Sequence, residues 1–458
     1  MNEITIAEIK EATCGTLMAG CEEHLVGSVC TDSRKAKEGD LFVPIIGEVH
    51  DAHKFIPQVI EKGCRALLIS EKSAAAALGD CDVILVDDTT KALQALAGYY
   101  LEKLKLKKIA VTGSVGKTST RDMVYYILSE KYKTGKTEGN FNNDIGVPLT
   151  IFSFDDSMEA AVLEVGMDHA GEIHRLVDII RPDIGIITNV GISHIENLGS
   201  REGILQAKLE IADYFDAGNT LVINQSNDML ASAVLPDTYD VVRVGLAETD
   251  AFYVHDIEDY GEAGISYCLT ACGKDYQIKL GIPGAHNAVN ASLALAAAKR
   301  VGVTIEEGIT GLSKMQLTDN RLTIRETRGI KIIDDTYNAA PDSMKSAINT
   351  LVNTRGDRKI AILGGMNELG PDSLLYHREV GRYAGEKKVD LLITVGEKAR
   401  DIAIGGIETL GEDKVKHFDT KEQLYEQMDE MFKAGDIIIV KASRSMEMEQ
   451  VVESIMKK

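Results

Sequence analysis

KKIAVTGSVGKTSTRDMVYYILSE, residues 107–130, decides the fold. A strand-like apolar segment runs into a glycine-bearing turn and then into a helix-like segment. Such a turn presents backbone N–H groups and the positive end of a helix dipole, which together cradle phosphate. Gly113, Ser114, Gly116, Lys117, Thr118 and Ser119 are the candidates for that cradle. Lys117 can reach the terminal phosphates, and Thr118 offers a hydroxyl to Mg²⁺. The usual spacing places a glycine five residues before Gly116, where this chain has Val111, so the loop is a short variant. The competing reading is a Gly/Ser turn that binds nothing. Gly-Lys-Thr in a strand–turn–helix context weighs against it.

Around this loop, 458 residues are enough for about three domains, with roughly 150 residues each. A hydrophobic content of 44% supplies packed cores. The net charge of −21 argues against sequence-independent nucleic-acid binding, which needs a basic surface. Seven scattered cysteines without a C-x-x-C pair fit a reducing cytoplasm better than a disulfide framework or a zinc site. The start, MNEITIAEIKEA, lacks a basic region followed by an apolar core, and no apolar run approaches membrane-spanning length.

The predicted fold class is α/β in three domains. Residues 1–104 read as a small mixed α/β unit, with LFVPII, ALLIS and VILV as strands. The lysine-rich LEKLKLKK, 101–108, reads as a linker or a solvated helix end. Residues 105–312 form a central phosphate-loop unit. KIAVTG, AVLEV and DIGIITNV alternate with helix-length segments, which implies a mainly parallel sheet. AFYVHDI, GISYCLTA and DYQIKLG, within 251–281, read as appended antiparallel hairpins. Residues 313–458 form a second open sheet, Rossmann-like, from IKIIDD, KIAILGG, VDLLITVG and DIIIVKAS. Ligands of such sheets sit beyond the carboxyl ends of the strands.

Several polar groups fall at those ends. Glu164 closes AVLEV and could hold Mg²⁺ or be simply a surface or capping glutamate. His194 follows IITNVG, where a lone histidine is more often structural. GNFNNDIGVP, 139–148, reads as a binding loop or an asparagine-rich turn. Lys208, in QAKLEIADYF, reads on its own as an ordinary solvated lysine. DDTYNAAPDSM, 334–344, and KASRSMEMEQ, 441–450, put carboxylates, Lys441, Ser443 and Arg444 at strand ends, groups that suit an anionic ligand.

The order of these motifs resembles the ATP-dependent Mur ligases of bacterial cell-wall synthesis. The short loop TGSVGKTS, EVGMDHAGEI, TNVGISHIENLGS, the AKLEI lysine and GAHNAVNASLA match in sequence, over essentially the whole chain. Within the family, TDSRKAKEGDLFVPIIGEVHDAHKF, GNFNNDIGVP, DDTYNAAPDSM, GGMNELG with His377, and KASRSMEME resemble the branch that adds D-alanyl-D-alanine. A DNPR-type motif, expected of the diaminopimelate-adding branch, is absent from the sequence. Ala52 and Ala442 stand where that branch commonly has glycine, and Gly365-Met366-Asn367 replaces a Gly-Asp-Met run.

The resemblance implies roles. Lys117 would bind the β- and γ-phosphates of ATP. Thr118 and Glu164 would hold one Mg²⁺, and His194 a second, helped by a carbamylated Lys208. Lys117, Lys208 and His194 would be the catalytic set. Asn287 and Asn290 would approach adenine, and Arg321 and Asp335 would reach the nucleotide from the third domain. Ser33, Arg34, His53 and Phe55 would lie near the uridine nucleotide. Asn140, Tyr337, Asn338 and Arg444 would contact peptide and dipeptide. The implied activity joins D-alanyl-D-alanine to UDP-MurNAc-tripeptide, in a cytoplasmic monomer that inserts in no membrane. The rivals are another amide ligase of this fold, such as a folylpolyglutamate-synthase-like enzyme, and a nucleotide switch. The first would be expected to begin near the phosphate loop. The second would be expected to show an N-K-x-D motif, which NQSND at 224–228 does not fit.

Overall fold

Strand Lys107–Thr112 is buried on both faces, as strands of a covered parallel sheet are. Ile109 and Val111 point to one face and Ala110 to the other, the period of two that a strand imposes. The computed structural model describes residues 1–47, 49–71, 79–316 and 321–457, with Asp429 described by its backbone alone. Glu48, within the 31–55 segment, lies outside the described residues.

Lys107–Thr112 is third from one edge of a nine-stranded sheet. In spatial order its companions begin with Thr134–Lys136 and Ala160–Glu164 on one side. On the other come Ile184–Ile187, Thr220–Asn224 and Asp240–Gly245, all parallel. Phe252–Asp259 joins Asp240–Gly245 in parallel, and Ile265–Ala271 and Lys274–Leu280 follow it antiparallel, the hairpins expected within 251–281. Helices Lys117–Leu128 and His286–Arg300 cover the face of Ile109 and Val111 through Met123, Ile127, Ala291 and Leu295. Each fully buried aliphatic side chain of that layer contributes about 1.5–3 kcal/mol.

The opposite face is shared between two units. Helix Thr89–Leu104, capped by Asp88, sets Leu93, Leu96 and Tyr100 in the same core as Val147, Ile151 and Leu176. Tyr100 donates to the carbonyl of Phe154 at 2.8 Å. The lysine run at 101–108 is therefore no free linker. Residues 101–104 end this helix, Lys105 takes a left-handed turn, and the sheet strand starts at Lys107.

The first unit's own sheet runs Thr16–Ala19, Asp82–Leu85, Ala66–Ile69, Asp40–Phe42, Ser28–Cys30, parallel except at the first pair. The strand expected over LFVPII stops at Phe42. Pro44 has no N–H to give a ladder, and its carbonyl instead accepts Thr89 Oγ1 at 2.7 Å. The last sheet runs Thr323–Thr327, Ile330–Asp334, Asp436–Lys441, Arg358–Gly364, Leu391–Val395, Val415–Phe418, again with one antiparallel edge. Among the described residues, no helix is long and apolar enough to cross a membrane.

Candidate active site

A cleft of about 820 Å³ opens beyond the carboxyl ends of the strands, between the central and last sheets. One wall is the phosphate loop, residues 114–119. The other carries Arg321, Asp335, Tyr337, Asn338 and Arg444.

Two glycines set the loop's shape. A side chain on Gly113 would place Cβ 1.9 Å from Thr188 Oγ1. Gly116, at φ 84°, makes the left-handed entry to helix Lys117–Leu128. The segment after strand Ile184–Ile187 braces the loop from behind. Val115 N–H donates to Asn189 Oδ1 at 3.0 Å, Asn189 Nδ2 returns to the carbonyl of Val115 at 3.0 Å, and Gly191 N–H donates to Ser114 Oγ at 3.0 Å. Asn189 was not among the sequence candidates, although it sits inside the TNVG motif. The first-turn N–H groups of the helix have no intrahelical acceptor, and the residues that carry them, 117–119, line the cleft. Lys117 Nζ donates to the carbonyl of Gly113 at 2.8 Å. Burial pushes its pKa below the usual lysine range, and the Arg321 charge adds to that.

Glu164 is buried and collects three donors. Thr118 Oγ1 reaches Oε2 at 2.9 Å, Asn142 Nδ2 reaches Oε1 at 2.8 Å, and Arg121 Nη1 stands 3.4 Å from Oε2. The surface-glutamate reading fails here: Glu164 is 2% exposed. Asn142 orders the asparagine loop, its carbonyl accepting Gly166 N–H at 2.8 Å. Asn140, the residue chosen from sequence, is exposed at the cleft mouth. Buried hard oxygen donors of this kind suit a divalent cation.

Lys208 overturns its reading as a solvated lysine. It is 1% exposed, and among the described residues its ammonium group has neither a hydrogen bond nor an ion pair. Burial, then the Lys117 charge, lowers its pKa well below the usual value. It lies beneath the cleft and is not part of its wall. His194 does line the cleft, at φ 63°.

Asn287 lines the cleft, and its amide donates to the carbonyl of Pro283 at 2.7 Å. Asn290 sits behind the loop instead, its amide 3.0 Å from the position of a Cβ on Gly116. The Arg321 guanidinium lies 4.0 Å over the Tyr337 ring, and its Nε is buried without a hydrogen bond among the described residues. Asp335 is paired with Lys441 at 2.6 Å, so Lys441 serves this internal pair and is buried. Arg444 pairs with Glu449 at 2.8 Å and remains over half exposed.

Ser33, Arg34, His53 and Phe55 stand on the first unit, outside this cleft. Arg34 forks onto Asp32 with both contacts at 2.9 Å. Both His53 ring nitrogens are occupied, Nδ1 by Asp51 at 2.7 Å and Nε2 by the Ser70 N–H at 3.1 Å. These contacts fix the orientation of its ring.

Two family models match the chain. The Mur ligase middle domain covers residues 111–298, and the Mur ligase, glutamate ligase domain covers residues 320–444. The UDP-N-acetylmuramoyl-tripeptide–D-alanyl-D-alanine ligase of Bacillus subtilis is 38% identical over 454 residues, covering 98% of each chain. A crystal structure of MurF from Acinetobacter baumannii superposes with a TM-score of 0.92 at 30% identity, covering all of both chains. That of MurF ligase from Thermotoga maritima in complex with ADP gives 0.83 at 28% identity, covering 94% of this chain and 97% of that one. The chain belongs to the Mur ligase family, in the group of the UDP-N-acetylmuramoyl-tripeptide–D-alanyl-D-alanine ligases.

Proposed function

We propose that this chain is an ATP-dependent amide ligase that joins D-alanyl-D-alanine to UDP-MurNAc-tripeptide. The observation that carries the reading is the cleft itself. A phosphate loop forms one wall, and cationic and amide side chains of another sheet form the opposite wall.

A tripeptide carboxylate oxygen attacks the γ-phosphorus, and the bond from that phosphorus to the β-bridging oxygen breaks. The products are an acyl phosphate and ADP. The dipeptide amine then attacks the acyl carbon, the carbon–oxygen bond to phosphate breaks, and the nitrogen loses a proton. Phosphorylation is needed because a carboxylate has no competent leaving group. Lys117 and the first-turn N–H groups hold the phosphoryl oxygens against the approaching carboxylate. Arg321, whose Nε has no hydrogen bond among the described residues, offers a second cation from the facing wall. Closure of the two walls excludes water from the acyl phosphate.

Divalent cations fit the donor set. Thr118 and Glu164 would hold one Mg²⁺ and His194 a second, and the ions would offset repulsion between anionic oxygens. Burial lowers the Lys208 pKa well below the usual lysine range, which favours the neutral amine that could attack CO₂. A carbamate formed there, with loss of one proton, would supply negative charge toward the second cation. Asn287 supports the adenine side, and Asp335, Tyr337, Asn338 and Arg444 the peptide side. The first unit, 1–104, would carry the UDP-sugar, 105–312 the ATP and 313–458 the dipeptide. Seven unpaired cysteines support a reducing, cytoplasmic setting. Tripeptide labelled with ¹⁸O in its terminal carboxylate tests the acyl phosphate. One ¹⁸O should appear in released phosphate, and unlabelled phosphate would contradict it.

A further inference from the structure

The loop after strand Arg358–Gly364 is built to reach the other wall of the cleft. His377, 1% exposed, accepts Met366 N–H at Nε2 over 2.9 Å, and Asn367 N–H donates to Ser443 Oγ at 2.9 Å. Leu369 is buried in the last unit's core. Glu368 between them takes φ 63°, a left-handed conformation uncommon for a residue with a side chain. That turn aims its carboxylate at the central unit.

Glu368 Oε2 lies 2.6 Å from His194 Nδ1, and Asp168 Oδ1 lies 3.2 Å from the same nitrogen. One donor atom from each of the three residues lies within 4.8 Å of the other two. The Nδ1 atom is buried yet has no hydrogen-bond partner among the described residues, because neither carboxylate lies along the ring N–H direction. Two carboxylates converging off-line on one nitrogen suit a cation better than a shared proton. Two carboxylate oxygens and an imidazole nitrogen suit Mg²⁺ or Mn²⁺.

We propose that Glu368 is a cation ligand from the last unit, sharing with His194 and Asp168 an ion that draws the two walls of the cleft together. This rests on the reading of His194 as a cation ligand given above. Without a cation, the two carboxylates repel one another across the unit boundary and oppose closure. With it, closure and binding reinforce each other reciprocally. Asp168 and Glu368 are each more than half exposed, so changing either leaves the cores intact.

The test is Mn²⁺ binding to the full chain without nucleotide, followed by the free-ion paramagnetic resonance signal. Small-angle scattering reports closure in parallel. Wild type should bind Mn²⁺ and contract. Glu368→Gln should weaken one site by about tenfold or more and lose the contraction, and Glu368→Asp should recover part of both. Unchanged binding and contraction in Glu368→Gln, with a site lost in His194→Ala, would overturn the role of Glu368 and leave His194 as a ligand. No change in either variant would overturn both.

Discussion

Thr118 Oγ1 donates to Glu164 Oε2 across 2.9 Å, joining the first turn of the phosphate-loop helix to the end of a neighbouring parallel strand. Both groups are buried, and both are oxygen donors at the cleft. Thr118→Val keeps the shape and removes the hydroxyl. It should raise the Mg²⁺ concentration needed for half-maximal turnover by about 10–100-fold while the thermal midpoint moves little. Glu164→Gln should behave alike. A Mg²⁺ titration of initial rates checks both.

Lys117 is a half-buried cation whose charge the cleft walls disfavour until phosphate arrives. Lys117→Ala should lower ADP formation by at least about 10²–10³-fold. Binding of the UDP-sugar, proposed above for the first unit, should persist by calorimetry. Wild-type turnover in this variant would remove the phosphate loop from the mechanism.

The proposed carbamate on Lys208 would make turnover depend on CO₂. Exhaustive removal of CO₂ and bicarbonate should lower turnover, and added bicarbonate should restore it. Lys208→Arg should be inactive, since a guanidinium stays protonated.

In CO₂-free buffer the same residue costs stability. Its folded pKa lies below the unfolded value, so between the two the unfolded chain binds the extra proton and stability rises with pH. Lys208→Met should therefore raise the melting midpoint near neutral pH. The gain should shrink as pH approaches about 10, where the unfolded lysine also loses its proton. A gain that grows with pH would contradict the sign.

Gly113→Ala places a methyl carbon 1.9 Å from Thr188 Oγ1. Overpacking of this kind costs about 1–3 kcal/mol. Here it would also displace the loop from Asn189. Denaturant midpoint and nucleotide affinity should fall together, whereas loss of affinity alone would locate the effect elsewhere.

Much of this was legible because it is local. Gly113, Gly116, Lys117 and Thr118 are four residues of one turn, and their chemistry follows from spacing. The apolar strands announced themselves by composition. Lys208 was misread in isolation, although the signal existed. Ile204, Leu205 and Ile211 recur around it at helical spacing, which puts the lysine on the buried stripe of Arg201–Leu209 and the turn that follows. Asn142 and Asn140 are chemically identical, and only the fold decides that Asn142 meets Glu164. The partners that orient His53, Asp51 and Ser70, come from a turn and a distant strand end, and the second contact leaves no local trace in sequence. The meeting of Glu368 with His194 joins two units and leaves no local trace in sequence.

The most direct measurement is phosphate release from ATP and Mg²⁺ with UDP-MurNAc-tripeptide, with and without D-alanyl-D-alanine. Sustained release only when both substrates are present, with one phosphate per amide bond, is the expected result. Release that ignores the dipeptide, or that requires a single amino acid in its place, would contradict the assignment.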